Sequence, residues 1–395
     1  MKYFIWAYNP KVVGIRPSQG ISFVVPETKT KTEAYLELEI NQIIPVKRID
    51  FQTVYPIFKQ KQAEGEKIED IFTLQEEIMD WVGVLKAIFV PGKTGVSDVL
   101  FKDKYYMRSV LKQEVTEPDF YELTENSAVE SINEGMVKPR RADSTKGMSY
   151  FKAPLPLSSL KNQSGYLSDK DLLVESFVHY DRMFTVDGYT DFQGHSRFFS
   201  HEYNNKLSDF KKTGYFTLHT SSLYYQDQQL LQKLFALSQK ALQALNVERD
   251  ITPFHFEWFY SDKDQSFVFT EVGKRFGGAK IPKLVKHSFG VDLLEEYWKM
   301  QERRAEEIDW EQPLSPRVCS SSYVQLTNGK TMMESLVEKI PDLFTYEQNH
   351  PVGVQSQAAE SIGDAFFLAQ YTSKDAAASD MVSAKINKAF NEVCR

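Results

Sequence analysis

Short apolar runs open the chain. KYFIWAY and GISFVV have the length and the aromatic and β-branched content of buried strands. AYLELEINQIIPV alternates apolar and polar positions and predicts another strand. Over Thr73–Val90 the apolar spacing becomes helical, acids fill the first turns, and Pro91-Gly92 stops the run. Residues 1–100 therefore predict a small α/β unit. No GxGxxG follows the first strand, so a dinucleotide fingerprint is absent.

From Asp103 the texture changes. DKYYMRSVLK predicts a short basic helix, VESINEGMVKP a strand at its end, RRADSTKG a polar basic loop, and MSYFKAPL another strand. LSSLKNQSGYL reads as helix and turn, and LLVESFV as a buried strand. Residues 101–180 thus form a small α+β lobe. Beyond it, RMFTVDGYTDFQGHSRFFS predicts two strands about a Gly turn, and FHFEWFY with SFVFTEVG predicts a hairpin across SDKDQ. Between them, Asp227–Val247 carries Leu230, Leu231, Leu234, Leu237, Ala241, Leu242 and Leu245 on one helical stripe, with Asp227 as its cap. Asp292–Ile308 and Lys374–Val393 predict further helices, and 315–372 alternates strands with turns. Residues 181–395 make the third and largest part.

Composition narrows the function classes. The 395 residues are 42% hydrophobic and 26% charged, ordinary for a globular protein. A net charge of -7 gives no overall attraction to nucleic acid or to an anionic membrane. Only two cysteines, Cys319 and Cys394, are present, which excludes a disulfide framework and a cysteine-rich zinc site and fits a reducing cytoplasm. MKYFIWAYNP is too short an apolar stretch for a signal peptide, and no run approaches the ~18 residues that span a bilayer. The reading is a cytoplasmic protein.

The hairpin carries the most chemistry. With its turn near Asp264, Glu257 and Glu271 fall opposite each other, Glu257 sharing a face with His255 and Phe259, Glu271 with Phe267 and Phe269. Like charges facing across a ladder repel unless a cation joins them. Mg²⁺ is such a cation, held by one or two carboxylates while phosphates supply further oxygens. Lys274 and Arg275 follow directly, placed for phosphate. Taken alone, a solvated hairpin explains two acids equally well. For the other pieces, each taken alone, the plain structural reading is the favoured one. Ser144, Thr145, Lys146 and Gly147 in RRADSTKG suit an anion nest or a plain turn. Glu175 in LLVESFV suits a strand leaving the sheet beside an adenine, covered by Phe177, or a core strand with one acid.

Order and spacing join these pieces. DKYYMR, MVKPRRADSTKG, LLVESFVHYDRMFTVDG and FHFEWFYSDKDQSFVFTEVGKRFGG follow one another over residues 103–278. This series resembles the ATP-grasp superfamily, most closely its carboxylate–amine ligase branch, which includes amino-acid ligases. The resemblance implies a mixed α/β and α+β architecture: a Rossmann-like N-terminal domain, a small lid lobe and a C-terminal catalytic lobe. It implies that Lys104 and Lys138 contact the phosphates of ATP, that Ser144–Gly147 closes over them, and that Glu175, Ser176, Phe177 and Val178 form the adenine hinge. Glu257 and Glu271 match the ligands of two Mg²⁺ ions, for which Mn²⁺ could substitute, and Arg275 matches the arginine that stabilises the transferring phosphoryl group. Departures stand out. The usual ribose acid is Met183 here, leaving Asp187 or water for that contact, a frequent Asn ligand is Gly273, and the phosphate loop has fewer glycines and more cations.

The activity so implied is ligation of an amino acid or other carboxylate to an amine through an acyl phosphate, releasing ADP and phosphate. Alternatives are acyl transfer to a carrier-protein thiol or scaffold amine, and a nucleotide-binding module without turnover. His255 and His219 are the nearest general-base candidates, but a lone His is more often structural. A homodimer follows from family analogy alone.

Overall fold

Four parallel strands form the first sheet: β1 (Lys2–Ile5), β2 (Ile21–Pro26), β3 (Ile43–Val46) and β4 (Asp70–Phe72), in the order β3-β2-β1-β4. In the structure, a computed structural model, the described residues are 1–18, 20–38, 42–123, 132–142, 147–152, 171–326, 337–338, 340–348 and 365–393. Both faces of this sheet are covered, which is why its strands read as continuous apolar runs. Tyr3, Ile5 and Val24 pack with Val54 and Phe58 of the helix Phe51–Ala63 and with Val82 and Leu85 of the helix Met79–Phe89. Phe4, Trp6, Phe23 and Phe72 turn the other way, and Trp298 of the helix Leu293–Gln301 meets Phe4 edge-on at 5.2 Å.

Three sequence expectations are corrected. AYLELEINQIIPV is not one strand. Glu33–Leu36 makes a helical turn and, among the described residues of the segment, only Ile43–Val46 is a strand. Tyr35 and Leu38, three residues apart, are both buried, a spacing that suits a helical turn and defeats alternation. The helix expected from Thr73 begins at Met79, after a 3-10 turn at Glu76–Ile78. Thr73 Oγ1 donates to Ile5 O instead, so residues 73–76 form the loop at the carboxyl end of β4, the end of a parallel sheet where ligands bind. The helix expected over Asp292–Ile308 stops at Gln301, with a 3-10 turn at Ala305–Glu307.

The second sheet is small and antiparallel: β5 (Phe120–Glu122), β6 (Glu134–Pro139), β7 (Ser149–Lys152) and β8 (Leu172–Ser176), ordered β5-β8-β6-β7. The LSSLKNQSGYL segment, and with it the helix expected there, lies outside the described residues.

The third sheet has eight antiparallel strands, ordered β13-β12-β9-β10-β11-β14-β16-β15. These are β9 (Arg182–Thr190), β10 (Ser196–Tyr203), β11 (Tyr215–Thr220), β12 (Thr252–Ser261), β13 (Ser266–Gly273), β14 (Cys319–Gln325), β15 (Leu343–Gln348) and β16 (Phe367–Ser373). The helix Gln228–Leu245 lies on one face, Asp227 accepting from Leu230 N at 2.9 Å as its cap. Leu231, Leu234, Leu242 and Leu245 of the stripe are buried with Phe254, Phe256 and Trp258 of β12. Each such side chain contributes roughly 1.5–3 kcal/mol. The alternate residues of β12, His255 and Glu257, take the opposite face. No helix among the described residues is long and apolar enough to cross a membrane.

Candidate active site

Glu257 and Glu271 are paired directly across the β12–β13 ladder. The register slips immediately afterwards, Trp258 pairing with Phe269, so Thr270 is the extra residue of a β-bulge. The bulge corrects one expectation. Phe267 and Phe269 point into the core, and the extra residue turns Glu271 away from them, onto the face of His255 and Glu257. The bulge is held from outside: Arg108, itself buried, donates to Thr270 O at 2.9 Å.

Two cations stand near these acids, Lys104 in contact from a helix and Arg275 from the chain just past β13. Lys104 opens the helix Lys104–Leu111, whose cap Asp103 accepts from Tyr105 N and Tyr106 N. Its Nζ lies 2.7 Å from Glu271 Oε1 and donates to Ala142 O at 2.6 Å. Arg275 lies just past β13 and is bonded through Nε to Glu76 of the loop after β4, at 2.5 Å. Burial opposes its charge, but Glu76, Glu257 and Glu271 outweigh that and raise its pKa. Burial would raise Glu76, and Arg275 and Lys102 instead hold it at about 2. A Cβ on Gly273 would meet Arg275 Cγ at 3.3 Å, so the arginine stem lies over the glycine that replaces the expected Asn.

The small sheet contributes a buried ion cluster. Glu175 on β8 takes Lys138 Nζ on Oε2 at 2.6 Å and Arg108 Nε on Oε1 at 2.5 Å. Burial would push this carboxyl up, and the two cations hold it at about 2. Glu175 is thus an anchor rather than an open ligand. Past it, Ser176 N and Phe177 N donate to Asp119 O and Glu134 O, and Phe177 packs edge-on against Tyr150 at 5.3 Å, with half-buried Val178 following. Arg140 is spent as a two-pronged clamp on Asp103, at 2.9 and 2.7 Å. Gly147 adopts φ 69 at the end of the basic loop, while Ser144, Thr145 and Lys146 lie outside the described residues.

Two expectations are revised by burial. Lys274, placed by sequence beside the phosphates, is buried between Asp98 Oδ1 at 2.7 Å and Asp250 Oδ2 at 3.1 Å. Lys86 and Lys93 join the same acids, so Lys274 ties the end of β13 to the helices of the first sheet. Asp187, expected near the ribose, is 1% exposed. Its Oδ1 accepts from His255 Nδ1 at 2.7 Å and its Oδ2 from Thr185 Oγ1 at 2.7 Å. That carboxylate has no open side to offer a sugar hydroxyl. Burial alone would lower His255, and the Asp187 charge raises it to about 9. His219 lies apart, its Nδ1–H donating to Thr220 O at 2.9 Å and its Nε2 facing Asp380 at 3.8 Å.

No group of three His, Cys, Asp or Glu among the described residues forms a metal cage. The donors present are Glu257 and Glu271, two facing carboxylates on an accessible face. That set fits Mg²⁺, which keeps waters and takes phosphate oxygens rather than an all-protein cage. Sequence reasoning missed Glu76 and Arg108. Neither carries a local signal: one is a loop acid, the other a helix cation, and only the fold brings them to the hairpin.

No protein-family model matches the chain, and no curated protein matches it in sequence. Solved structures match over nearly its whole length. An L-amino acid ligase from Bacillus licheniformis superposes with a TM-score of 0.73 at 15% identity, over 98% of this chain and 97% of that one. A carboxyaminoimidazole ribonucleotide synthase from Aspergillus clavatus complexed with ATP gives 0.72 at 12% identity, over 99% and 98%. An N5-carboxyaminoimidazole synthase from Aspergillus clavatus with ADP and 5-aminoimidazole ribonucleotide gives 0.69 at 13%, over 99% of each. The chain therefore has the ATP-grasp fold, as the segments of 103–278 led one to expect.

Proposed function

We propose that the protein is an ATP-dependent carboxylate–amine ligase, releasing ADP and phosphate and taking an amino acid as the carboxylate. The observation that carries this is the Glu257–Glu271 pair, facing one way on the hairpin, with Lys104 brought to it from a helix and Arg275 nearby, just past β13. Glu257 and Glu271 would hold Mg²⁺, or Mn²⁺ in its place. The metal supplies charge neutralisation at the phosphates and orientation of the nucleotide. Lys104 would serve the phosphates, together with Ser144–Gly147, and Lys138 would offer them a further N–H while its bond to Glu175 stays in place. Residues 175–178 serve as the hinge. Since the N–H groups of Ser176 and Phe177 are committed, the reading of the base falls to Val178 and the carbonyls beside it.

In the reaction, a carboxylate oxygen attacks the γ-phosphorus, the bond to the β,γ-bridging oxygen breaks, and ADP leaves. The amine then attacks the acyl carbon, phosphate departs with the bonding pair, and the amine proton passes to solvent. Arg275 would meet the charge on the transferring phosphoryl group. Turnover rather than mere nucleotide binding is favoured by the survival of both acids and of Lys104, Lys138 and Arg275 together.

The test is release of ADP and phosphate from ATP and Mg²⁺ with single and paired amino acids. AMP and pyrophosphate are followed in the same samples. ADP and phosphate appearing only with particular acids is the expected result. AMP formation would mean adenylation and would overturn the mechanism.

A further inference from the structure

Beside the metal-facing acids lies a hydrogen-bonded pair with no part in the chemistry above. Asp187 on β9 and His255 on β12 are register partners, and so are Thr185 and Glu257. Alternation along both strands puts all four side chains on the cleft face of the sheet. Asp187 accepts from His255 Nδ1 at 2.7 Å. The ring is thereby fixed with its Nδ1–H on Asp187, and its Nε2 is aimed at Glu257 Oε1, 3.6 Å away. Thr185 Oγ1 holds the second Asp187 oxygen at 2.7 Å, and His201 Nδ1 approaches it at 3.4 Å. Asp187 and His201 are at most 1% exposed. The loop carrying Arg275 closes the pair from above: a Cβ on Gly277 would stand 2.4 Å from Asp187 Oδ1 and 2.7 Å from His255 Nδ1.

We infer that Asp187 and His255 are positioning residues for Glu257: the pair forms a fixed wall that sets the direction in which this carboxylate faces a divalent cation. The inference rests on Glu257 being a metal ligand, as proposed above. A ligand carboxylate on a strand keeps rotational freedom that its binding partner must otherwise restrict. Groups behind a ligand that fix its orientation are worth about 10–100-fold in metal affinity. A purely structural pair would leave that affinity alone.

The experiment counts free Mn²⁺ by electron paramagnetic resonance in titrations of the full chain with ADP present. Asp187→Asn and His255→Gln are compared with wild type and with Thr185→Val, which removes a bond to Asp187 but keeps the His255 pair. Both dyad variants are expected to raise the Mn²⁺ Kd about 10–100-fold, with Thr185→Val close to wild type. ADP affinity measured in chelator and the circular dichroism spectrum should not move. If Asp187→Asn does not fold, His255→Gln decides alone, because it retains the polar group and the chain's other buried bonds. Mn²⁺ affinity in folded dyad variants within about twofold of wild type would overturn the inference while leaving the metal site standing. Wild-type affinity indifferent to Glu257→Gln would remove the metal assignment and this inference with it.

Discussion

Lys104→Met separates two roles that the Lys104–Glu271 pair combines. The substitution keeps the aliphatic stem and removes the charge. In the structure the lysine is nearly buried, its Nζ 2.7 Å from Glu271 Oε1, while the Glu271 side chain is 27% exposed. Burial would lower the Lys104 pKa, and Glu271 and Glu76 raise it instead. A charge-assisted hydrogen bond of this kind nets about 1.5–3 kcal/mol, or roughly 10- to 150-fold in an equilibrium constant. For the nucleotide, losing the cation should raise the ADP Kd, measured calorimetrically with Mg²⁺ present, by at least about 10-fold within that range. For a bare divalent ion the sign reverses. Glu271 is no longer shared with an ammonium, and a like charge has left the neighbourhood, so the Mn²⁺ Kd without nucleotide should fall. The 140–142 backbone should stay in place through the Arg140–Asp103 clamp, so these shifts report on charge. Mn²⁺ binding that weakens in parallel with ADP would refute the reasoning, because it would mean that the lysine supports the metal instead of competing with it.

Four further outcomes are expected. Arg275→Ala should lower kcat by about 10²–10³-fold while ADP affinity changes far less; the opposite split would deny it a role in the transferring charge. Gly277→Ala places a Cβ within 2.7 Å of Asp187 and His255 and 2.5 Å of Ile281, and should cost about 1–3 kcal/mol in thermal unfolding. Glu175→Gln leaves Arg108 and Lys138 buried without their acid, and should weaken the small sheet by about 3–5 kcal/mol, read as faster amide exchange in β6 and β8. The folded pKa of Glu175 is depressed, to about 2 from an ordinary 4.5, so its contribution is complete above pH 4.5 and fades as pH falls toward 2. Acid titration of amide exchange in β8 should therefore steepen in that window, and Glu175→Gln should flatten it.

What the sequence disclosed follows the range of the forces involved. The Gln228–Leu245 helix was legible because its stripe, its cap and its length all lie within one segment. The facing of Glu257 and Glu271 was legible because a hairpin is local. The bulge at Thr270 was not, since one extra residue changes which side chains share a face without leaving a residue-type signature. Glu33–Leu36 misled because Leu and Ile at alternate sites also satisfy a helical spacing once Tyr35 and Leu38 find a core. The misplacement of Lys274 has the same origin. In GKRFGG two adjacent cations look alike, and only tertiary contact with Asp98 and Asp250 assigns one to the interior and leaves the other at the cleft.

That division sorts six of the described cations around the hairpin. Arg108, Lys138, Arg140 and Lys274 face acids that are themselves mostly buried, and separating such a pair strands a charge in a medium that cannot solvate it. Lys104 and Arg275 differ. Glu271 is within reach of solvent, and so is Arg275, 29% exposed. An anionic ligand can draw these two cations away at low cost only if something replaces them on their acids. Under the proposed metal assignment, the replacement on Glu271 is a divalent ion, the same ion that accompanies a nucleotide's phosphates. Release of Lys104 toward phosphate and release of Glu271 toward metal are then one exchange. The pair is kept together until both parts of the ligand arrive. This is why a single substitution at Lys104 should move ADP and Mn²⁺ affinity in opposite directions.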